Sequence, residues 1–320
     1  MPTRQEIESA AARIAGRVRR TPVIRLAGAE FGLAHPVTLK LELLQHAGSF
    51  KPRGAFNRML LASLPGSGVV AASGGNHGAA VAYAAQQLGA PAEIFVPELT
   101  PVAKRDRIAS YGAAVVRVGA TYAEAIEASR ARQRETGALE VHAYDDPDVL
   151  AGQGTLGLEL EADAPELTHV LVSVGGGGLI GGVAGWYADR AEVVAVEPEL
   201  CPSLHAALEA GGPTPAAVGG VAADSLGARQ VGALMFEVAR RYIHRCVLIG
   251  DGAIRNAQLA LWDALRLIVE PGGAAAFAAL LSGAFVPPPG ARVGVVVCGA
   301  NVDPATIASE SVSRETADRF

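Results

Sequence analysis

The sequence is short of cysteine, of aromatic residues and of charge of either sign. Its three cysteines, Cys201, Cys246 and Cys298, lie far apart and show no Cys-x-x-Cys spacing. That argues against a disulfide framework or a structural zinc site and for a reducing, cytoplasmic setting. Charged residues are 18% of the chain, the net charge is -5 and no basic run stands out, so nucleic acid and anionic membrane are poor candidates as partners. Arg17, Arg19 and Arg20 do cluster, but the apolar spacing of Ile7, Ala11, Ile14 and Val18 predicts an amphipathic helix with those arginines on its solvated face. Long hydrophobic runs are missing too. Glycines and charges break each apolar stretch short of a membrane span, and Met1-Pro2-Thr3-Arg4 opens no signal peptide. Small and aliphatic residues are abundant: half of the 320 residues are hydrophobic and 38 are glycine. This is the profile of a compact globular protein, with one large domain or two modest ones.

Short β-branched runs at 37–43, 68–72, 93–96, 114–118, 169–174, 193–197, 246–249 and 292–297 alternate with amphipathic stretches at 79–88, 102–111, 123–135 and 253–267. The alternation predicts an α/β architecture of parallel sheets with helices on both faces, and the nearly all-apolar runs read as doubly covered strands. Three runs end directly in small-residue loops that open helices. They lead into Ser73-Gly74-Gly75-Asn76-His77-Gly78, into Gly175-Gly176-Gly177-Gly178 and into Cys298-Gly299-Ala300-Asn301. Ligands of open parallel sheets bind outside the carboxyl ends of strands, so the three loops point to one kind of place.

Four consecutive glycines can turn their N–H groups toward one centre with no Cβ in the way, and the following helix adds its positive end. Together they make a phosphate cradle. A tight turn where a helix packs on a sheet fits these glycines equally well. No Lys-Ser/Thr follows and no acidic residue is placed for a ribose, so neither of the common nucleotide loops matches. Lys51 stands just after a strand and ahead of Pro52 at a helix start. The helix dipole repels a cation there and lowers the pKa of the amine, as imine formation requires; an exposed lysine at a helix start is the alternative. Asn76 offers both donor and acceptor, and Ser73 with the glycine N–H groups can take a carboxylate. A serine cap on a glycine turn also explains that loop, and His77 alone carries little.

Taken together, Gly48-Ser49-Phe50-Lys51-Pro52-Arg53-Gly54-Ala55, the Ser73 to Gly78 loop, Gly175 to Gly178 followed by Leu-Ile-Gly-Gly, Val196-Glu197-Pro198, and Cys298-Gly299-Ala300-Asn301 resemble the fold-type II pyridoxal 5'-phosphate (PLP) enzymes. Among these the chain is most similar to the serine/threonine dehydratases and serine racemases. The motifs run from about Arg20 to Asp303 in family order and spacing. The resemblance implies two doubly wound, mostly parallel sheet domains with the cofactor in the cleft. Residues 1–64 and 145–320 would form the large domain, and 65–144 a small, mobile, substrate-side domain. It implies PLP as a Schiff base on Lys51, which also acts as base at Cα. Phe50 would pack on the pyridine ring, Asn76 would meet its phenolic oxygen, and Cys298 would face its nitrogen. Gly175, Gly176, Gly177 and Gly178 would hold the phosphate. Ser73, Gly75, Asn76 and His77 would receive the substrate carboxylate, and Gly220 would lie near the cofactor and the substrate side chain.

The implied reaction is β-elimination of L-threonine or L-serine to 2-oxobutanoate or pyruvate plus ammonia, by a homodimer acting on a small amino acid. Serine racemase, a hydroxyaspartate ammonia-lyase and a non-catalytic PLP-binding carrier protein are the alternatives. Racemases carry serine where this chain has Gly74, so no second proton donor is expected on the far face of Cα. Cys298 stands where serine is frequent. Glu197, Cys201 and Ser203 match, by position, a metal site of dehydratases. With only one carboxylate among them, a monovalent cation such as potassium is expected, although Glu197-Pro198 as a simple strand cap reads equally well. Only seventeen residues follow Asp303, so no regulatory domain is expected there.

Overall fold

The computed structural model describes residues 1–307. Its strands are β1 (Val23–Leu26), β2 (Val37–Lys40), β3 (Val69–Ala72), β4 (Ala92–Val96), β5 (Ala114–Arg117), β6 (Leu139–Glu140), β7 (His169–Ser173), β8 (Glu192–Pro198), β9 (Arg245–Ile249) and β10 (Val293–Val296). Six strands form one sheet in the order β1-β2-β10-β7-β8-β9, and four form another in the order β5-β4-β3-β6. β1 runs antiparallel to β2, with Val23 opposite Lys40. The other pairings between these strands are parallel.

Side chains alternate across each sheet, and both faces are covered. In the larger sheet Val170, Val172, Val193 and Ala195 pack with Leu160, Ile180 and Val183, whereas Leu171, Val194 and Val196 pack on the other side with Ile254 and Phe277. In the smaller sheet Val69, Ala71 and Ile94 join Phe56 and Val81, and Val70, Ala72 and Phe95 join Ala125 and Ala138. Each large apolar side chain so buried contributes about 1.5–3 kcal/mol, which is why these strands can be nearly all apolar. No helix among the described residues is long and apolar enough to cross a membrane.

Several expectations need correction. The strand expected at 37–43 stops at Lys40, because Glu42–Leu44 turns into a 3-10 helix. β1 and β6 have no counterpart in the sequence pattern: one is four residues of partial burial, the other only two. The first helix, Arg4–Ile14, opens on a capping box between Thr3 and Glu6 and ends sooner than the spacing to Val18 predicts, because Gly16 turns to φ 73°. Arg17, Arg19 and Arg20 therefore lie beyond it. Arg19 donates to the Leu44 carbonyl at 2.7 Å and Arg20 pairs with Asp163 at 2.6 Å.

Helix Pro52–Leu61 starts one residue after Lys51, with Pro52 in its first turn. Below it lies a set of buried charges. Arg53, fully buried, is forked between Glu42 at 2.6 Å and Glu159 at 2.8 Å. Lys40 stands 2.8 Å from Glu159, and Thr21 donates to Glu42 at 2.7 Å. Burial pushes the Glu42 carboxyl up, but Arg53 beside it holds it below its ordinary value. Two cations facing two carboxylates satisfy the condition under which charge is tolerated inside. The set joins β2 and helix Pro147–Asp163 to the helix start from which Lys51 emerges.

Candidate cofactor and substrate site

The Lys51 loop is seated on the end of β10. The Phe50 N–H donates to the Cys298 carbonyl at 3.1 Å, and Ser49 bridges Gly299. Lys51 is half-buried. Its Nζ donates to the Ala143 carbonyl at 2.7 Å and lies 5.1 Å from the centre of the Phe50 ring. Removal from water holds this amine down at about 8, against the opposing pull of Cys298 and Glu270. Burial, more than the helix end, is the main cause.

From β7 the four glycines lead into helix Gly178–Tyr187. Gly177 has φ 89°, in the region where glycine meets no steric penalty, and no side chain caps the helix start. A Cβ at Gly176 would come within 2.3 Å of Tyr144, and one at Gly177 within 2.3 Å of Met235. Side chains are thus shut out of the loop, and its polar offer is backbone. Tyr144 directly follows Ala143, so the amine and the glycine loop share one neighbouring segment.

In the third loop the Gly75 N–H donates to Ser73 Oγ at 3.2 Å. Asn76 donates through Nδ2 to Glu270 Oε1 at 2.7 Å and accepts at Oδ1 from Asn301 Nδ2 at 2.5 Å. His77 is buried with Nε2 2.8 Å from the Val141 carbonyl, and burial, aided by Lys51, holds its pKa down to about 3. Its ring is therefore neutral and brings no charge to a carboxylate. A cavity of about 370 Å³ opens beside this loop, bounded among others by Gly74, Asn76, Lys104, Asp224 and Glu270. Cys298 is buried with Sγ 3.5 Å from the Gly272 carbonyl, and burial pushes its thiol up, so it is neutral.

The remaining expected residues have partners of their own. Gly220, at φ 74°, faces Asp251 and Leu200, which are within 2.6 and 3.0 Å of where its Cβ would be. Glu197 accepts from the N–H groups of Leu204 and His205 at 2.7 and 2.8 Å, from Ser203 Oγ at 3.1 Å and from Cys246 Sγ at 3.3 Å. It thereby caps helix Ser203–Ala210. Ser203 Oγ also donates to the Gly175 carbonyl at 2.7 Å, and Cys201 Sγ to the Gly219 carbonyl at 3.1 Å. Among the described residues no group of three or more His, Cys, Asp or Glu side chains gathers as a metal cluster.

A family model described as pyridoxal-phosphate dependent enzyme matches residues 14–299. The chain belongs to that family. As a PLP-dependent enzyme it is 39% identical to an L-threonine ammonia-lyase of Geobacter sulfurreducens, over 94% of this chain and 76% of the relative. It is 37% identical to a phenylserine dehydratase of Ralstonia pickettii, over 96% of both chains. Among solved structures, maize serine racemase superposes with a TM-score of 0.89 at 32% identity, covering 100% of this chain and 99% of that one. These neighbours place the fold in the type II class of PLP enzymes.

The residues present fit PLP. A half-buried amine held near 8 suits an aldehyde, and an uncapped helix start behind a loop closed to side chains suits a phosphate. Two polar side chains at the heart of this arrangement, Glu270 and Asn301, were given no role by the sequence reading. The available signal for Glu270 is a repeat: Val-Glu-Pro occurs at residues 196–198 and again at 269–271.

Proposed function

We propose that this PLP enzyme is a lyase that removes the β-hydroxyl and then the amine from L-threonine or L-serine, leaving 2-oxobutanoate or pyruvate and ammonia. The observation that carries the reading is Lys51, an amine held near 8 with no carboxylate bonded to it, between the glycine loop and the neutral Cys298 thiol. Bound PLP supplies the aldehyde that captures amines and the ring that takes up the electron pair released at Cα. Lys51 would hold the cofactor, and its amine would take the Cα proton. Phe50 would cover one face of the ring, Asn76 would donate to its phenolic oxygen, and Cys298 would face its nitrogen without adding charge. The N–H groups of Gly175, Gly176, Gly177 and Gly178 hold the phosphate. Ser73, Gly75, Asn76 and His77 would receive the substrate carboxylate through the Ser73 hydroxyl and backbone N–H groups, and Gly220 would lie toward the substrate side chain. The names of the relatives, an L-threonine ammonia-lyase and a phenylserine dehydratase, support this reading.

Gly74 speaks against racemisation, since it has no side chain to hold a proton, and Thr100 Cγ2 lies 2.7 Å from where its Cβ would be. The segment 65–144, which contains β3 to β6, closes as a unit over the rest of the chain; of that rest, 308–320 lies outside the described residues. A potassium ion near Glu197, Cys201 and Ser203 belongs to the same reading, supported by the Ser203 contact to the Gly175 carbonyl. The protein is a cytoplasmic homodimer, which light scattering on the purified holoenzyme checks. The central test is release of ammonia and oxo acid from L-threonine, L-serine and phenylserine. Release from at least one is expected, and none from any would leave only the carrier reading.

A further inference from the structure

The second Val-Glu-Pro sends a carboxylate into the cleft. Glu270 is 4% exposed and stands at the N-cap of helix Pro271–Leu281, yet its side chain caps nothing. Its Oε1 accepts from Asn76 Nδ2 at 2.7 Å, and the Asn301 backbone N–H also bonds the carboxyl. Room for it exists because residue 299 is glycine: a Cβ there would lie 1.9 Å from Glu270 Oε1. Asn76 is held at its other end by Asn301, which is itself anchored to the Ala47 carbonyl at 2.9 Å, four residues before Lys51. A primary amide has two N–H donors and one carbonyl oxygen. With the oxygen taken by Asn301 and one N–H by Glu270, a single N–H remains, and the planar group leaves it one direction.

We propose that Glu270 is a positioning residue which, through Asn76, aims the one N–H that the phenolic oxygen of the cofactor meets. The inference rests on the assignment of Asn76 to the cofactor. A carboxyl oxygen suits the task because it accepts from Nδ2 while Asn301, fixed as a donor by its bond to the Ala47 carbonyl, takes the Asn76 oxygen, so the Asn76 amide cannot settle in the flipped orientation. The charged and titratable groups acting on Glu270 are Asp224, Lys104, Lys51 and Cys298. Burial raises its carboxyl to about 7, and in either protonation state an oxygen remains to accept from Asn76. Orientation, not charge, is what it supplies.

The test uses the visible absorption spectrum of the holoenzyme and its rate of cofactor loss on dilution into a scavenger of free PLP. Glu270→Ala is expected to move the absorption maximum and speed cofactor loss about ten-fold, the equivalent of about 1.4 kcal/mol. Glu270→Gln, which keeps an acceptor oxygen and drops the charge, is expected to restore both. Adding Glu270→Ala to Asn76→Ala is expected to change nothing further, since the effect passes through Asn76. A wild-type spectrum and rate in Glu270→Ala, a Gln variant no better than Ala, or additive losses in the double variant would each overturn the proposal. If Asn76→Ala itself leaves spectrum and rate unchanged, the Asn76 assignment falls first. If Asn76→Ala changes them and Glu270→Ala does not, only the role of Glu270 falls. Should Glu270→Ala not fold, Gly299→Ala puts a methyl where the carboxylate lies and is expected to shift the spectrum the same way; an unshifted spectrum counts against the idea.

Discussion

A lysine amine in water titrates near 10.4, whereas burial brings Lys51 to about 8. Only the neutral amine captures an aldehyde, so cofactor uptake by the stripped protein should accelerate as pH rises through about 8. Stopped-flow absorbance across pH checks this, and a midpoint near 10 would contradict it. The linkage has a definite sign. Between about 8 and 10.5 the unfolded chain binds more protons at this site than the folded one, so stability rises with pH there. Glu270, raised from 4.5 to about 7, acts the other way, and its contribution falls as pH climbs through that window. Lys51→Ala should lose the yellow colour and roughly 100-fold or more of oxo-acid release together; colourless protein with full turnover would end the reading. At Gly74 the expectation is stereochemical. Serine left after partial turnover should remain the L form by chiral chromatography, and D-serine accumulating as fast as pyruvate would promote the racemase alternative. Gly74→Ser must displace Thr100 and should lower stability by about 1–3 kcal/mol.

At the scale of elements, the helix after Lys51 is anchored by its second residue. Removing one member of a buried ion set strands the others. Arg53→Met removes the ion pair with Glu42 and leaves Glu159 its bond to Lys40, and should lower the unfolding free energy by about 3–5 kcal/mol, read from urea denaturation. A change under about 1 kcal/mol would mean that the network relaxes more readily than its geometry implies. Nothing in the local sequence distinguishes this arginine from an exposed one, since the partners come from residues 42 and 159. The glycine loop is the opposite case. Its composition announces itself, and the structure adds the reason at Gly177, where φ 89° and the Met235 side chain both exclude a Cβ. Gly177→Ala should weaken cofactor retention about ten-fold or more, because a positive φ alone costs an alanine about 1–2 kcal/mol. Dialysis of the holoenzyme followed by absorbance measures it.

Across the whole molecule, contacts beyond those of Asn76 and Lys51 join residues 65–144 to the rest of the described chain. Lys104, on helix Val102–Ser110, pairs with Asp224 of the short helix Ala223–Leu226, and Arg107 donates to the Ala47 carbonyl at 3.1 Å. The Lys104 and Asp224 side chains are 29% and 65% exposed, so the pair should contribute under about 1 kcal/mol to stability. Asp224→Ala is therefore expected to leave the melting temperature nearly unchanged and to raise KM for the amino acid more than it lowers kcat, because the pair borders the cavity mouth. Equal losses in both would point to a role in the chemistry instead. The sequence by itself determined the α/β class, through strand–helix alternation, and the three loops at strand ends, through their glycines. These are local signals, set by backbone periodicity and by the absence of a Cβ. The tertiary structure alone decided that Gly16 ends the first helix before its arginines, that two-residue β6 completes a sheet, and that Arg53, Glu270 and Asn301 matter. Burial and hydrogen-bond partnership belong to residues far apart in the chain, so no window of sequence contains them.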